Sequence, residues 1–236
     1  MRPLALLNET IIHCRRCPRL VAYRETVART KRRQFLDWTY WGRPVAGFGD
    51  SRAQLYILGL APAAHGGNRT GRIFTGDRSG DWLYEALHRY GFANQARSVH
   101  RDDGLRLSNC YIGASVRCAP PDNKPLPEEF ANCRPYITGE LQGLGAVRVV
   151  IALGKVAFDQ YLKACRDMGL APPRPAPRFK HGAEYRMPWS VSLLGSFHPS
   201  QQNTFTGKLT KPMFHHVFAR ARALLAEPRA RRRDGQ

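Results

Sequence analysis

Four cysteines in two distant pairs, Cys14-x2-Cys17 and Cys118-x14-Cys133, carry the most specific chemistry in the sequence. The pairs are separated by 100 residues, so only a fold that joins both segments can assemble four thiolates into one site. Such a site suits a structural zinc ion or an iron–sulfur cluster, since thiolates bind both and the ligand count excludes neither. The x14 spacing is looser than the paired CxxC knuckles of a zinc ribbon. Cys110 and Cys165 fall on a strand and a helix and read as ordinary buried cysteines.

Three further segments combine glycines or prolines with a few polar groups. They are Gly59 to Asp77, Arg117 to Pro125 and Gly195 to Ser200. The first is too long and glycine-rich for a plain connector, and it lacks the G-x4-G-K-[ST] of a phosphate-binding loop. Each follows a short apolar run. In a parallel sheet, the loops after strand carboxyl ends are where ligands bind.

The elements needed to position these loops are legible. Leu55 to Leu60, Leu107 to Val116, Val147 to Leu153 and Val191 to Gly195 are apolar runs of buried-strand type. Helical patterns cover residues 9–33, Asp81 to Tyr90, the segment opening at Pro127, Lys155 to Cys165, and Lys211 to Leu225. The alternation predicts an α/β fold, three-layer α/β/α around a short central parallel sheet, in a single domain over residues 1–226. A boundary near Asp50 is disfavoured because the cysteines tie both sides together. Ala171 to Arg178, with four prolines, reads as a loop, and the Arg-rich residues 227–236 as a frayed basic tail.

Composition narrows the function classes. The chain has 236 residues, with 37 basic against 18 acidic side chains and a net charge of +19. That field favours polyanions, nucleic acid first. The basic residues are 30 Arg and 7 Lys, a skew that GC-rich coding could produce, although drift would not explain the excess of bases over acids. No apolar stretch reaches the roughly 20 residues needed to span a bilayer, and no signal peptide is legible. A cytoplasmic protein is expected, where six cysteines point to metal ligation rather than disulfides.

The pieces CRRCPRL, GLAPAAHGGNRTGRIFTGD, VRCAPPDNKP, FANCRPYI and SFHPS together resemble the uracil-DNA glycosylase superfamily, and within it the iron–sulfur-containing family-5 branch. The resemblance runs from about Cys14 to about His216. It implies an enzyme that flips a deaminated base out of DNA and hydrolyses its N-glycosidic bond. It also implies a [4Fe–4S] cluster on Cys14, Cys17, Cys118 and Cys133 that staples the N-terminal helix to the loop after the second strand.

Carried onto this chain, the resemblance makes Phe74 the ring that stacks the base and His198 a neutral imidazole donating to the base as it becomes anionic. Core packing and a solvated loop are the plainer readings of these two. Asp77 becomes the residue orienting the attacking water, because Ala61 stands where many relatives carry an acid or amide; it is equally placed to cap the following helix. Asn123 offers an amide to base or water, or simply makes a turn.

Ala61, Ala63 and Ala64, with Ala114 where many relatives read uracil through asparagine, predict a pocket with few polar readers. Such a pocket would release hypoxanthine and xanthine as well as uracil. Lys124 is the only lysine in these loops, which favours hydrolysis over a Schiff-base lyase route. Arg69, Arg72, Arg78, Lys208 and Lys211 are expected to contact phosphates, and Gln201 to Thr204, with Asn203, the minor groove. A monomer acting on DNA is expected. The competing readings are a non-enzymatic, cluster-bearing nucleic-acid or redox-sensing protein, and an enzyme restricted to uracil.

Overall fold

In the computed structural model, which describes residues 4–228, short apolar runs form the middle of one sheet. The strands are β1 (Phe48–Gly49), β2 (Leu55–Gly59), β3 (Cys110–Ala114), β4 (Val149–Leu153), β5 (Glu184–Arg186) and β6 (Ser192–Ser196), in the order β1-β3-β2-β4-β6-β5. The inner four are parallel, with Gly59 level with Ala114 and Leu153 level with Ser196, so their carboxyl ends line one edge. The outer two are antiparallel and short.

Every residue of the inner strands is buried, because helices cover both faces. The helices are α1 (Leu4–Ile12), α2 (Pro18–Thr30), α3 (Gly67–Thr70), α4 (Arg78–Arg89), α5 (Pro127–Gly143), α6 (Lys155–Asp167), α7 (Gln201–Phe205) and α8 (Lys211–Ala226). On one face Leu55, Ile57, Ile112 and Ile151 meet Leu83 and Leu87 of α4 and Phe214 and Phe218 of α8. On the other, Tyr56, Leu58 and Val150 meet Ile137 of α5 and Phe158 and Tyr161 of α6. This is the three-layer α/β/α arrangement expected. No helix among the described residues is long and apolar enough to cross a membrane.

The helical pattern over residues 9–33 is two helices, not one. The chain leaves α1 at Ile12 and re-enters helix at Pro18, whose missing N–H is harmless in a first turn. Cys14 and Cys17 sit in that break. Of the expected tail, Glu227 is held by Arg148 Nη2 donating to its carbonyl at 2.6 Å; residues 229–236 lie outside the described residues.

A buried ion pair locks the sheet to α5. Arg117 Nη2 donates to Glu140 Oε2 at 2.6 Å, and Tyr56 Oη donates to the same oxygen at 2.7 Å. Both ionic side chains are almost completely buried. Burial by itself would lower the Arg117 pKa, but the carboxylate beside it prevails and keeps the guanidinium charged.

Candidate active site

The long loop after β2 folds back on its own strand. Phe74 has φ 53°, a left-handed backbone that costs a non-glycine residue free energy and persists only where its surroundings impose it. Two close approaches impose it. A Cβ on Gly80 would overlap the Phe74 carbonyl oxygen, and a Cβ on Gly59 would come within 2.7 Å of the Phe74 ring. Glycine at these two positions lets an aromatic ring lie against the end of the central strand. Tyr84 Oη, donating to the Ile73 carbonyl at 2.8 Å, braces the turn from below.

The loop after β6 brings His198 to the same place. Its ring stacks on Phe74 with centroids 5.8 Å apart and planes inclined by 29°. Asn203 Nδ2 donates to the His198 carbonyl at 2.9 Å, which fixes the backbone while leaving the imidazole nitrogens without a protein partner among the described residues. Burial lowers the imidazole pKa to about 4, so His198 is neutral at pH 7 and presents one N–H and one lone pair.

Asp77 performs the capping role that the sequence allowed, since its Oδ1 accepts from Gly80 N at 3.0 Å at the start of α4. Its second oxygen lies against Gly66. Burial raises its pKa above the usual carboxylate value, opposed by the Gly80 and Ser79 amides. Asp77 is thus both a cap and a desolvated carboxylate on the loop that carries Phe74. Ala63 is partly buried there, its carbonyl accepting from Gly66 N and Asn68 N.

Other expected site residues are placed differently. Ala114 is completely buried within the core around Phe74, so its side chain offers no surface to a ligand. Ala61 packs instead against the cysteine cluster. Asn123 is exposed in a short turn with φ 56°, and its side chain makes no hydrogen bond among the described residues; nothing joins it to the Phe74–His198 pair.

Two of the arginines expected on phosphates point inward. Arg69 is stacked between Phe35 and Trp38, at 3.8 and 4.0 Å from their centroids, and donates to the carbonyls of His65 and Gly76. Arg72 is buried, paired with Asp103 at 2.7 Å and bonded to Ser98 and Thr75. Both hold the loop in shape and are removed from the phosphate-contacting set. Lys211 is already paired with Glu85 at 2.5 Å.

Arg78, Gln201 and Lys208 do face outward. Arg78 lies over the ring of Phe205 at 4.3 Å, and Lys208 over Phe197 at 5.0 Å. Phe205, at 65% exposed on the short helix just after His198, is a functional candidate the sequence analysis missed. Its only signal was an apolar residue among polar neighbours.

The four cysteines of the two pairs do meet. Cys17, Cys118 and Cys133 are buried in one cluster with Val116 and Tyr136, and Cys14 packs against it. Arg24 Nη1 donates to Cys118 Sγ at 2.9 Å, and Asn132 Nδ2 to Cys17 Sγ at 3.5 Å. Burial pushes the Cys118 thiol up to about 11, against the pull of Arg24, and the Cys133 thiol up to about 12.

Comparison with known proteins places the chain in a family. A family model described as Uracil DNA glycosylase superfamily matches residues 46–222. The chain belongs to this superfamily. Within the superfamily, it is 52% identical over 219 residues to a protein of Mycobacterium tuberculosis named Type-5 uracil-DNA glycosylase, covering 92% of this chain and 80% of that one. It is 49% identical over 216 residues to the Type-5 uracil-DNA glycosylase of Thermus thermophilus, covering 92% and 95%. A Type-4 uracil-DNA glycosylase of Pyrobaculum aerophilum matches at 31% over 155 residues, 65% of this chain and 62% of the other. The two segments carrying Phe74 and His198 lie inside the superfamily match.

Proposed function

We propose that this protein hydrolyses the N-glycosidic bond of uracil and other deaminated bases in DNA, leaving an abasic site. The observation that carries the reading is the Phe74–His198 ring pair at the carboxyl ends of the parallel strands of a superfamily member. Bond breaking sends negative charge onto the departing base. A neutral imidazole N–H stabilises that charge only as it develops, which lowers the barrier without tightening the ground state. Asp77 orients the water and offsets positive charge on the sugar, with Asn123 as a second contact made once DNA is bound. Arg78, Gln201, Asn203 and Lys208 meet the DNA, and Phe205 fills the space left in the stack.

The pocket has few groups to read a base edge: Ala63 is apolar, and Ala114 is hidden in the core. Larger deaminated purines are therefore accepted too, since sites discriminate strongly only where polar groups would be left unpaired. Base release from duplexes containing uracil, hypoxanthine or xanthine tests this. Release of all three is expected; release of uracil alone would restrict the substrate, and release of none would refute the activity.

Acid should slow the reaction. Asp77 begins to take up a proton at a pH above the ordinary aspartate value, whereas His198 stays neutral down to about 4. The rate should therefore fall as pH drops through the Asp77 transition. Asp77→Asn should be slower by about 10²-fold at pH 7 and lose that acid limb. A single-turnover pH profile with the limb intact in the variant would exclude Asp77 from this role.

Cys14, Cys17, Cys118 and Cys133 fit a [4Fe–4S] cluster. No three His, Cys, Asp or Glu side chains among the described residues converge closely enough to hold a single metal ion. The four cysteines share one packed cluster, and Arg24 and Asn132 already donate to two of the sulfurs. When bound, the cluster would supply a structural tie between the α1–α2 break and the loop after β3, displacing protons that burial otherwise keeps on the thiols. Protein purified without oxygen should contain about four iron and four sulfide per chain. Cys118→Ser should lose most of it; stoichiometric zinc instead would favour the other metal.

A further inference from the structure

A recess of about 480 Å³ opens between α2 and residues 40–43, away from the ring pair in sequence but backed by the loop that carries it. Trp41 N and Gly42 N donate to the carbonyls of Arg69 and Asn68, and the Trp41 ring covers Gly71. The recess is lined by Arg15, Arg24, Arg29 and Arg43, with Glu25 the one carboxylate among its lining residues. Glu25 is engaged by Arg15 at 2.5 Å and lies 3.8 Å from Arg24, which leaves Arg29 and Arg43 without an acidic partner among the described residues.

Two observations point to an anionic occupant. Arg24 is 2% exposed and its Nε has no hydrogen-bond partner among the described residues, although its other nitrogens bond Cys14 O and Cys118 Sγ. Arg24 is therefore a fixed buried charge behind the recess, while Arg29 and Arg43 are exposed and open to an anion. The Trp41 ring in turn carries two cations, with Arg43 and Arg101 at 5.6 and 4.9 Å from its centroid. Guanidinium groups in this setting match phosphate oxygens two at a time.

We infer that this recess is a second DNA contact, holding the sugar-phosphate backbone where the strand runs on from the base site. The inference rests on the glycosylase reading for the identity of the polyanion. It adds a phosphate-binding surface on α2, beside the cysteine cluster, that is distinct from the loops bearing Phe74 and His198. The arginine that floors the recess also bonds a cluster cysteine, so the cysteine site and the DNA contact share one side chain.

The test compares two doubly substituted proteins of equal charge. Arg29→Glu with Arg43→Glu alters the recess. Lys163→Glu with Arg166→Glu makes the same change of four charge units on exposed positions of α6. Binding to a fluorescent uracil-containing duplex is followed by anisotropy over a range of salt. The recess variant should bind at least about 10-fold more weakly near 0.1 M salt, with the slope of log K against log salt reduced by about 2. The α6 variant should keep the parent slope. Arg29→Gln with Arg43→Gln should reduce the slope in the same way, should the glutamates disturb folding. Equal losses in both charge-reversed proteins, or none in either, would overturn the recess. Parent protein that binds DNA but releases no base would instead overturn the glycosylase reading.

Discussion

Replacing His198 with alanine should slow base release by about 10²–10³-fold, the usual effect of deleting one donor aimed at developing negative charge. Affinity for the duplex should stay within about twofold, because phosphate contacts dominate it. The expectation follows from three properties of the residue. Its ring touches Phe74, its pKa is lowered to about 4, and its imidazole nitrogens are free of protein partners among the described residues. Single-turnover rates and anisotropy on the same duplex separate the two quantities. An unchanged rate would remove His198 from the chemistry; a parallel loss of rate and binding would make it a binding residue and revive the non-enzymatic reading.

Glu140→Ala should destabilise the fold by about 3–5 kcal/mol, since it leaves the Arg117 guanidinium buried and uncompensated. For a chain of this size, that is a fall in melting temperature of roughly 6–20 °C. The lost group also accepts from Tyr56, and Arg117 immediately precedes Cys118, so loss of iron should accompany the loss of stability. Replacing both members, Arg117→Met with Glu140→Leu, should recover much of the deficit, because the burial of two charges disappears with the pair. If Glu140→Ala melts within about 2 °C of the parent, the pair is not an important tie between sheet and α5.

The inner strands were legible because burial on both faces leaves continuous apolar runs such as Leu55 to Leu58 and Val149 to Leu153. The edge strands β1 and β5, of two and three residues, carry no comparable pattern. The break at Cys14–Cys17 was hidden because apolar spacing continues on either side of it, although Pro18 marks a helix start. The positions of Phe74 and His198 were legible from motif resemblance, and their contact follows from parallel strands ending on one edge.

The arginines were not legible. Charge in a sequence shows the need for a partner without naming one. Arg72 found Asp103 and Ser98, 31 and 26 residues on, and Arg69 found Phe35 and Trp38 in the preceding segment. Ala114 illustrates the converse: the resemblance put it where many relatives read uracil through asparagine, but packing around Phe74 closed over it.

The ring pair has a consequence for admission. Phe74 is only 7% exposed, and His198 covers it at 5.8 Å, a separation that leaves no slot for a third aromatic plane. On the proposed function, an arriving nucleobase would have to displace the imidazole from Phe74. It exchanges an aromatic contact of about 0.5–1.5 kcal/mol for a base stack of about 1–3 kcal/mol. On the proposed function, the doorway would be closed by the same side chain that assists departure, and a base that stacks poorly would be turned away before any bond is strained.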